Sequence, residues 1–202
     1  MESAVLKNLQ YLYIKDGENI YFGAHQEWYE KMWQKRAGCG PTTATMLISY
    51  YQSKKNDSTD VTKDKAEFLE LMKEIWDYVT PGYRGVNSTS IFVRGCHEYA
   101  KKHEIEYEIS YLNVMPDKKL RPTTEEIADF ILTALADDNP VAFLNLHNGE
   151  EKNLDRWHWV LLVSFDSKTG TALMYDQGVS KYINIYLWLK TTLFGGGFVT
   201  IS

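Results

Sequence analysis

Apolar residues recur at helical spacing through the first two thirds of the chain and gather into short dense runs in the last third. Phe68, Leu71, Met72, Ile75, Trp76 and Val79 share one face of a helix expected over residues 63–79. Phe92, Cys96, Tyr99 and Ala100 do the same over 88–103, which assigns Cys96 to the core. Thr123 and Glu126 form a capping box that starts a further helix, ending near residue 136. Ala44, Leu47, Ile48 and Tyr51 mark a buried helix closely following Pro41. From Pro140 onward the pattern changes to strands over 141–146, 157–165, 171–175, 181–185 and 198–201, separated by Asn, Gly, Asp and Lys turns. Near the start, residues 11–14 and 19–22 flank a Lys-Asp-Gly-Glu turn and read as a hairpin, while 53–60 reads as a polar loop. Gly195, Gly196 and Gly197 precede a strand instead of opening a helix, and so read as a tight turn. Helices first and strands later define an α+β class, with a mainly antiparallel sheet in the C-terminal half.

Composition adds boundaries to this picture. At 202 residues the chain is long enough to bury one proper core, so one domain over 1–202 is expected. Residues 53–136 read as a candidate helical subdomain of it, with a lid, an insertion or part of the core left open. A net charge of −5 with interspersed signs argues against a general nucleic-acid binder, and Lys54-Lys55 and Lys118-Lys119-Leu120-Arg121 read as solvated loops. No stretch approaches membrane-spanning length and the start lacks a secretory pattern, which makes a cytoplasmic location without membrane association the expectation. Two cysteines build neither a disulfide framework nor a four-cysteine zinc site, so no metal or cofactor is expected. Oligomeric state is left open.

The chemistry concentrates at Cys39, in Trp33-Gln34-Lys35-Arg36-Ala37-Gly38-Cys39-Gly40-Pro41-Thr42-Thr43. Only the thiolate attacks carbonyls well, and the N-terminus of a helix stabilises it through unpaired N–H groups and the helix dipole. Gly38 and Gly40 permit a sharp entry turn, Pro41 suits a first turn that needs no N–H there, and Thr42 and Thr43 are candidate caps. A buried structural cysteine is the bland alternative, and this setting argues against it.

A base is available downstream. His158 begins the apolar run His158-Trp159-Val160-Leu161-Leu162-Val163, a central strand whose end reaches the rim of the sheet. Asp176 closes the next strand, in Tyr175-Asp176-Gln177-Gly178. In an antiparallel pair, the start of one strand lies beside the end of the next, so Asp176 is positioned to accept a hydrogen bond from His158. Alternation puts Trp157 and Trp159 on one face of the strand and His158 on the other. Asn145 and His147 are candidates for the cleft or for local hydrogen bonding, and loops 81–87 and 147–156 are the expected determinants of specificity. A rival metallohydrolase would use His147, Asp155 and His158, but it leaves the setting of Cys39 unexplained.

The order Gln, Cys-Gly-Pro opening a helix, His-Trp-Val-Leu-Leu-Val and a strand ending Tyr-Asp-Gln-Gly resembles the papain-like cysteine peptidases of the bacteriocin-processing, C39-like group, over about residues 30 to 200. The resemblance implies a papain-like fold, Cys39 as nucleophile, His158 as general base and acid, and Asp176 as the orienting acid. It makes Gln34 the side-chain partner of the Cys39 N–H in an oxyanion hole, with Gln26 the weaker substitute. Trp33, Gly38 and Trp157 adjoin these residues as candidate substrate contacts. The implied reaction is cleavage of a peptide or small amide through a thioester by a free-standing member. An acyltransferase or deamidase on the same scaffold, or an inactive binding module, are the alternatives.

Overall fold

The structure, a computed structural model, describes residues 1–57 and 62–202. In chain order it comprises β1 (Ser3–Val5), a 3-10 turn at Leu9–Leu12, β2 (Tyr13–Asp16), β3 (Asn19–Phe22), α1 (Met32–Ala37), α2 (Cys39–Lys55), β4 (Lys63–Asp64) and α3 (Lys65–Trp76). Then follow α4 (Thr89–Lys102), β5 (Ile109–Val114), α5 (Thr124–Ala136), β6 (Val141–Asn145), β7 (His158–Asp166), β8 (Thr171–Asp176), β9 (Val179–Asn184), α6 (Ile185–Thr191) and β10 (Gly196–Ile201). The expected loop over 53–60 lies partly inside α2, and its part at 58–60 falls outside the described residues.

The helices start where their local chemistry dictates. Ser88 caps α4 through Ile91 N–H, and Thr123 and Glu126 complete the capping box of α5 in both directions. A seven-stranded antiparallel sheet runs β5-β10-β6-β7-β8-β9, with β1 paired to the C-terminal half of β7. A small second sheet, β3-β2-β4, is a separate ladder that meets the large one where Phe22 N–H donates to the Gly178 carbonyl at 2.9 Å. Helix α2 crosses the large sheet at β7 and is covered by α3 and α4, so it is buried all round from Cys39 to Tyr50. The result is an α+β arrangement, with a cysteine-bearing helix packed against an antiparallel sheet. Phe68, Met72 and Ile75 of α3 and Phe92 and Cys96 of α4 belong to the same buried cluster as the sheet residues Phe143, Leu161 and Phe198. No helix among the described residues is long and apolar enough to cross a membrane.

Several expectations are corrected. Residues 9–12 form a 3-10 turn, so the hairpin begins at Tyr13, and the strand expected over 181–185 ends at Asn184, whose side chain caps α6. Gly196 and Gly197 lie in β10, where a side chain on Gly196 would run into the Leu144 carbonyl, so close strand pairing explains them better than a turn. Arg121 is no solvated charge: its guanidinium donates to the carbonyls of Met115, Pro116, Leu189, Thr192 and Leu193, tying the end of α6 to the segment after β5. Lys54, likewise, donates to the Asp137 carbonyl and Asn139 Oδ1.

Candidate active site

Cys39 is the first residue of α2, with Gly38 at the N-cap position. Gly38 has φ −80° and ψ −5°, ordinary right-handed backbone, and Gly40 has no positive φ either. The two glycines therefore supply space, not an unusual turn. A Cβ on Gly38 would meet the Gln34 carbonyl oxygen and the Tyr29 ring, and one on Gly40 would come within 2.7 Å of Val86 Cβ. No side chain caps this helix, so the expected capping by Thr42 and Thr43 does not occur, and Thr42 Oγ1 has no partner among the described residues. Pro41 has no N–H and the Thr42 N–H donates to the Gly38 carbonyl at 2.9 Å, so within the first turn it is the Gly40 amide that serves the sulfur.

His158 opens β7, and its Nε2 lies 2.7 Å from Asp176 Oδ1 at the end of β8, with both side chains under a tenth exposed. An imidazolium donates from Nε2 to this carboxylate, which leaves Nδ1 for the sulfur. A bulge creates the contact. β7 and β8 begin in one register, Asp166 opposite Thr171, and shift between Leu162 and Ser164 so that Leu161 faces Tyr175. Without that shift Asp176 would lie opposite Leu161, on the face away from His158. With it, His158 and Asp176 are diagonal neighbours on one face.

The electrostatics follow from burial and partners. Burial opposes charge on Cys39, yet the hydrogen bond and charge of His158, with the Trp159 and Gly40 amides, outweigh it and hold the thiol below its ordinary value. Burial likewise opposes the imidazolium, but Asp176 and Cys39 together raise His158 above its ordinary value. Asp176 is lowered in spite of its burial by His158 and by Lys181, whose Nζ lies 3.4 Å from Oδ2. Cys96, by contrast, is wholly buried and its thiol is pushed far up. A thiol biased toward ionisation beside an imidazole biased toward protonation is the polarity nucleophilic chemistry needs.

The sulfur opens into a cavity of about 520 Å³ walled by Trp33, Arg36 and Ala37 of α1, the turn Tyr83, Arg84 and Gly85, and Trp157. Trp157 has φ +57° and precedes β7, so strand alternation does not reach it. The expectation that Trp157 and Trp159 share a face is thereby corrected: Trp157 is 46% exposed in the cavity, while Trp159 is buried and stacked on Phe92. Trp159 Nε1 donates to the Val86 carbonyl at 2.6 Å, and Val86 rests on Gly40. The neighbours of Cys39 and His158 thus anchor the 81–87 loop over the thiol. That this loop shapes the cleft is legible in sequence; which of its residues face the sulfur is not.

The other candidates separate. Gln34 lies half-buried on α1 with no side-chain hydrogen bond among the described residues, whereas Gln26 is engaged with the Lys35 carbonyl at 2.6 Å. Gly38 is buried beneath the site and does not line the cavity. Asn145, fully buried, donates to the Asp155 carbonyl and accepts from Trp188, and His147 Nδ1 accepts from the Gly149 N–H. Both serve local structure. The trio His147, Asp155, His158 does not assemble; Asp155 instead gathers with His158 and Asp176, their ligand atoms within 4.8 Å of one another. No sequence signal pointed to Lys181 or to the companionship of Asp155 and Asp176.

A family model described as the Peptidase_C39 like family matches residues 24–190, a span that contains Cys39, His158 and Asp176. The chain belongs to this family. No curated protein matches the sequence. Among solved structures this C39-like protein is similar to xylellain, a cysteine protease from Xylella fastidiosa, at 13% identity and a TM-score of 0.41, over 100% of this chain and 86% of that one.

Proposed function

We propose that this C39-like protein is a cysteine peptidase acting through a Cys39-His158-Asp176 triad, with the whole chain serving as one catalytic domain. The observation that carries the reading is the buried 2.7 Å contact between His158 and Asp176 beside a thiol held below its ordinary pKa. Cys39 thiolate attacks the amide carbonyl and forms a C–S bond. The Cys39 N–H and the Gln34 amide stabilise the oxyanion, a contribution of about 3 kcal/mol per donor in comparable sites. His158 gives its Nδ1 proton to the leaving amine as the C–N bond breaks. It then takes a proton from water, whose oxygen displaces the thiolate and releases the acid.

Iodoacetamide labelling across pH, read by peptide mapping in wild type, Cys39→Ser and His158→Ala, tests the nucleophile. The expected result is fast labelling at Cys39 well below the free-thiol pKa of about 8.5, lost in His158→Ala. Labelling no faster than an ordinary thiol would remove the support for catalysis. With fluorogenic peptides, release of the free acid marks hydrolysis, while capture by an added amine marks acyl transfer.

A further inference from the structure

The wall of the Cys39 cavity carries two exposed guanidiniums that no acid among the described residues pairs with. Arg36 at the end of α1 and Arg84 at the tip of the 82–85 turn both line it, and among the described residues neither makes a hydrogen bond or an ion pair. Other cations in the neighbourhood are engaged: Lys35 faces Glu27 at 3.9 Å, Arg156 donates to Asn148 Oδ1 and Lys181 faces Asp176. Of the acids of the region, Asp155 and Asp176 gather at His158 and Glu27 faces Lys35, and none of the three lines the cavity. This arrangement occurs in a chain whose net charge is −5.

The turn that presents Arg84 is held in place. Gly85 N–H donates to the Gly82 carbonyl at 2.9 Å, Gly85 takes φ +70°, and Val86 is pinned by Trp159 Nε1. A guanidinium is a rigid fork of donors matched to a carboxylate, and two of them beside half-exposed Trp33 and Trp157 leave both a charge and an apolar wall to be met. We infer that the cavity selects substrates carrying a carboxylate close to the scissile bond, held by Arg36 and Arg84 with the tryptophans flanking the chain. This rests on the peptidase reading for its description of the ligand as substrate.

Alkylation of Cys39 by anionic iodoacetate and by neutral iodoacetamide tests the inference in wild type and in an Arg36→Gln, Arg84→Gln double variant. The ratio of the two rates within one protein cancels any change in the thiol, and His158 is common to both proteins. A wild-type ratio roughly tenfold above that of the variant, shrinking with added salt, is expected. Equal ratios would overturn the inference. If iodoacetamide reacts only at the rate of an ordinary thiol, the peptidase reading fails, yet the ratio still reports whether the arginines draw anions to the sulfur. Protection of Cys39 from iodoacetamide by Ac-Gly-Glu-Gly-NH2, Ac-Gly-Gln-Gly-NH2 and Ac-Gly-Gln-Gly-OH then separates an acidic side chain from a chain-terminal carboxylate as the ligand. Equal protection by all three would also overturn the inference.

Discussion

Replacing Asp176 by Asn retains the acceptor oxygen for His158 Nε2 and removes the charge. The contact is 2.7 Å long with both side chains nearly inaccessible. Charge-assisted hydrogen bonds contribute about 1.5–3 kcal/mol and are roughly twice as strong as neutral ones, so about 1–2 kcal/mol of support for the imidazolium should disappear. Lys181 beside Oδ2 then stands unopposed, which adds to the loss. At 1.36 kcal/mol per pKa unit, His158 should fall by about one to two units. Imidazole NMR titration in a Cys39→Ser background reads this directly, because His158 there titrates without a coupled thiol. Linkage adds a second readout. The raised His158 contributes stability that is complete below its unfolded value of about 6.5 and is lost as pH rises through the folded value; the lowered Asp176 contributes above about 3.9 and is lost as pH falls through its folded value. Asp176→Asn should therefore cost most in urea unfolding between about pH 4 and 6.5, and less in alkaline buffer. A His158 titration that does not move between the two proteins would refute the reasoning.

Gly40→Ala sets its Cβ 2.7 Å from Val86 Cβ and Cγ2, and overpacking of about 1–3 kcal/mol should exceed the gain of about 1 kcal/mol in helix propensity. Adding Val86→Ala should relieve part of that loss, giving a non-additive cycle in urea unfolding; strict additivity would exclude the contact as its cause. Trp159→Phe leaves the Val86 carbonyl without its donor, at a cost of about 1–3 kcal/mol, and should speed tryptic cleavage after Arg84 in the native protein. Asp138, at φ +59°, accepts from the Lys7 N–H, Asn8 Nδ2 and Tyr50 Oη, which hold its carboxyl below the usual range although burial opposes this. Asp138→Asn, compatible with that backbone, should lose about 1.5–3 kcal/mol at neutral pH, with the difference from wild type fading as pH drops through the lowered value.

Local chemistry was legible along the chain, because its causes lie within a few residues. The capping box at Thr123, the apolar faces of α3 and α4, the buried Cys96 and the helix-borne Cys39 all follow from spacing that a single segment carries. His158 at a strand start and Asp176 at the next strand's end were likewise readable, since a hairpin makes them neighbours along the strand direction. Which face each residue occupies was not readable. That depends on the bulge near Val163, a property of two strands in register, and it alone brings Asp176 to the His158 side. The same distinction explains β1 and β5, strands recognised only by their partners β7 and β10, and Arg121, whose five carbonyl acceptors come from segments far apart in sequence. Trp157 leaves the alternation because its backbone turns left-handed just before β7, and Asp155 replaces His147 beside His158 because Asn145 draws the Asp155 carbonyl to β6. Periodicity reports that a face must be buried; only the folded chain decides what buries it, and so which side chains meet at the thiol.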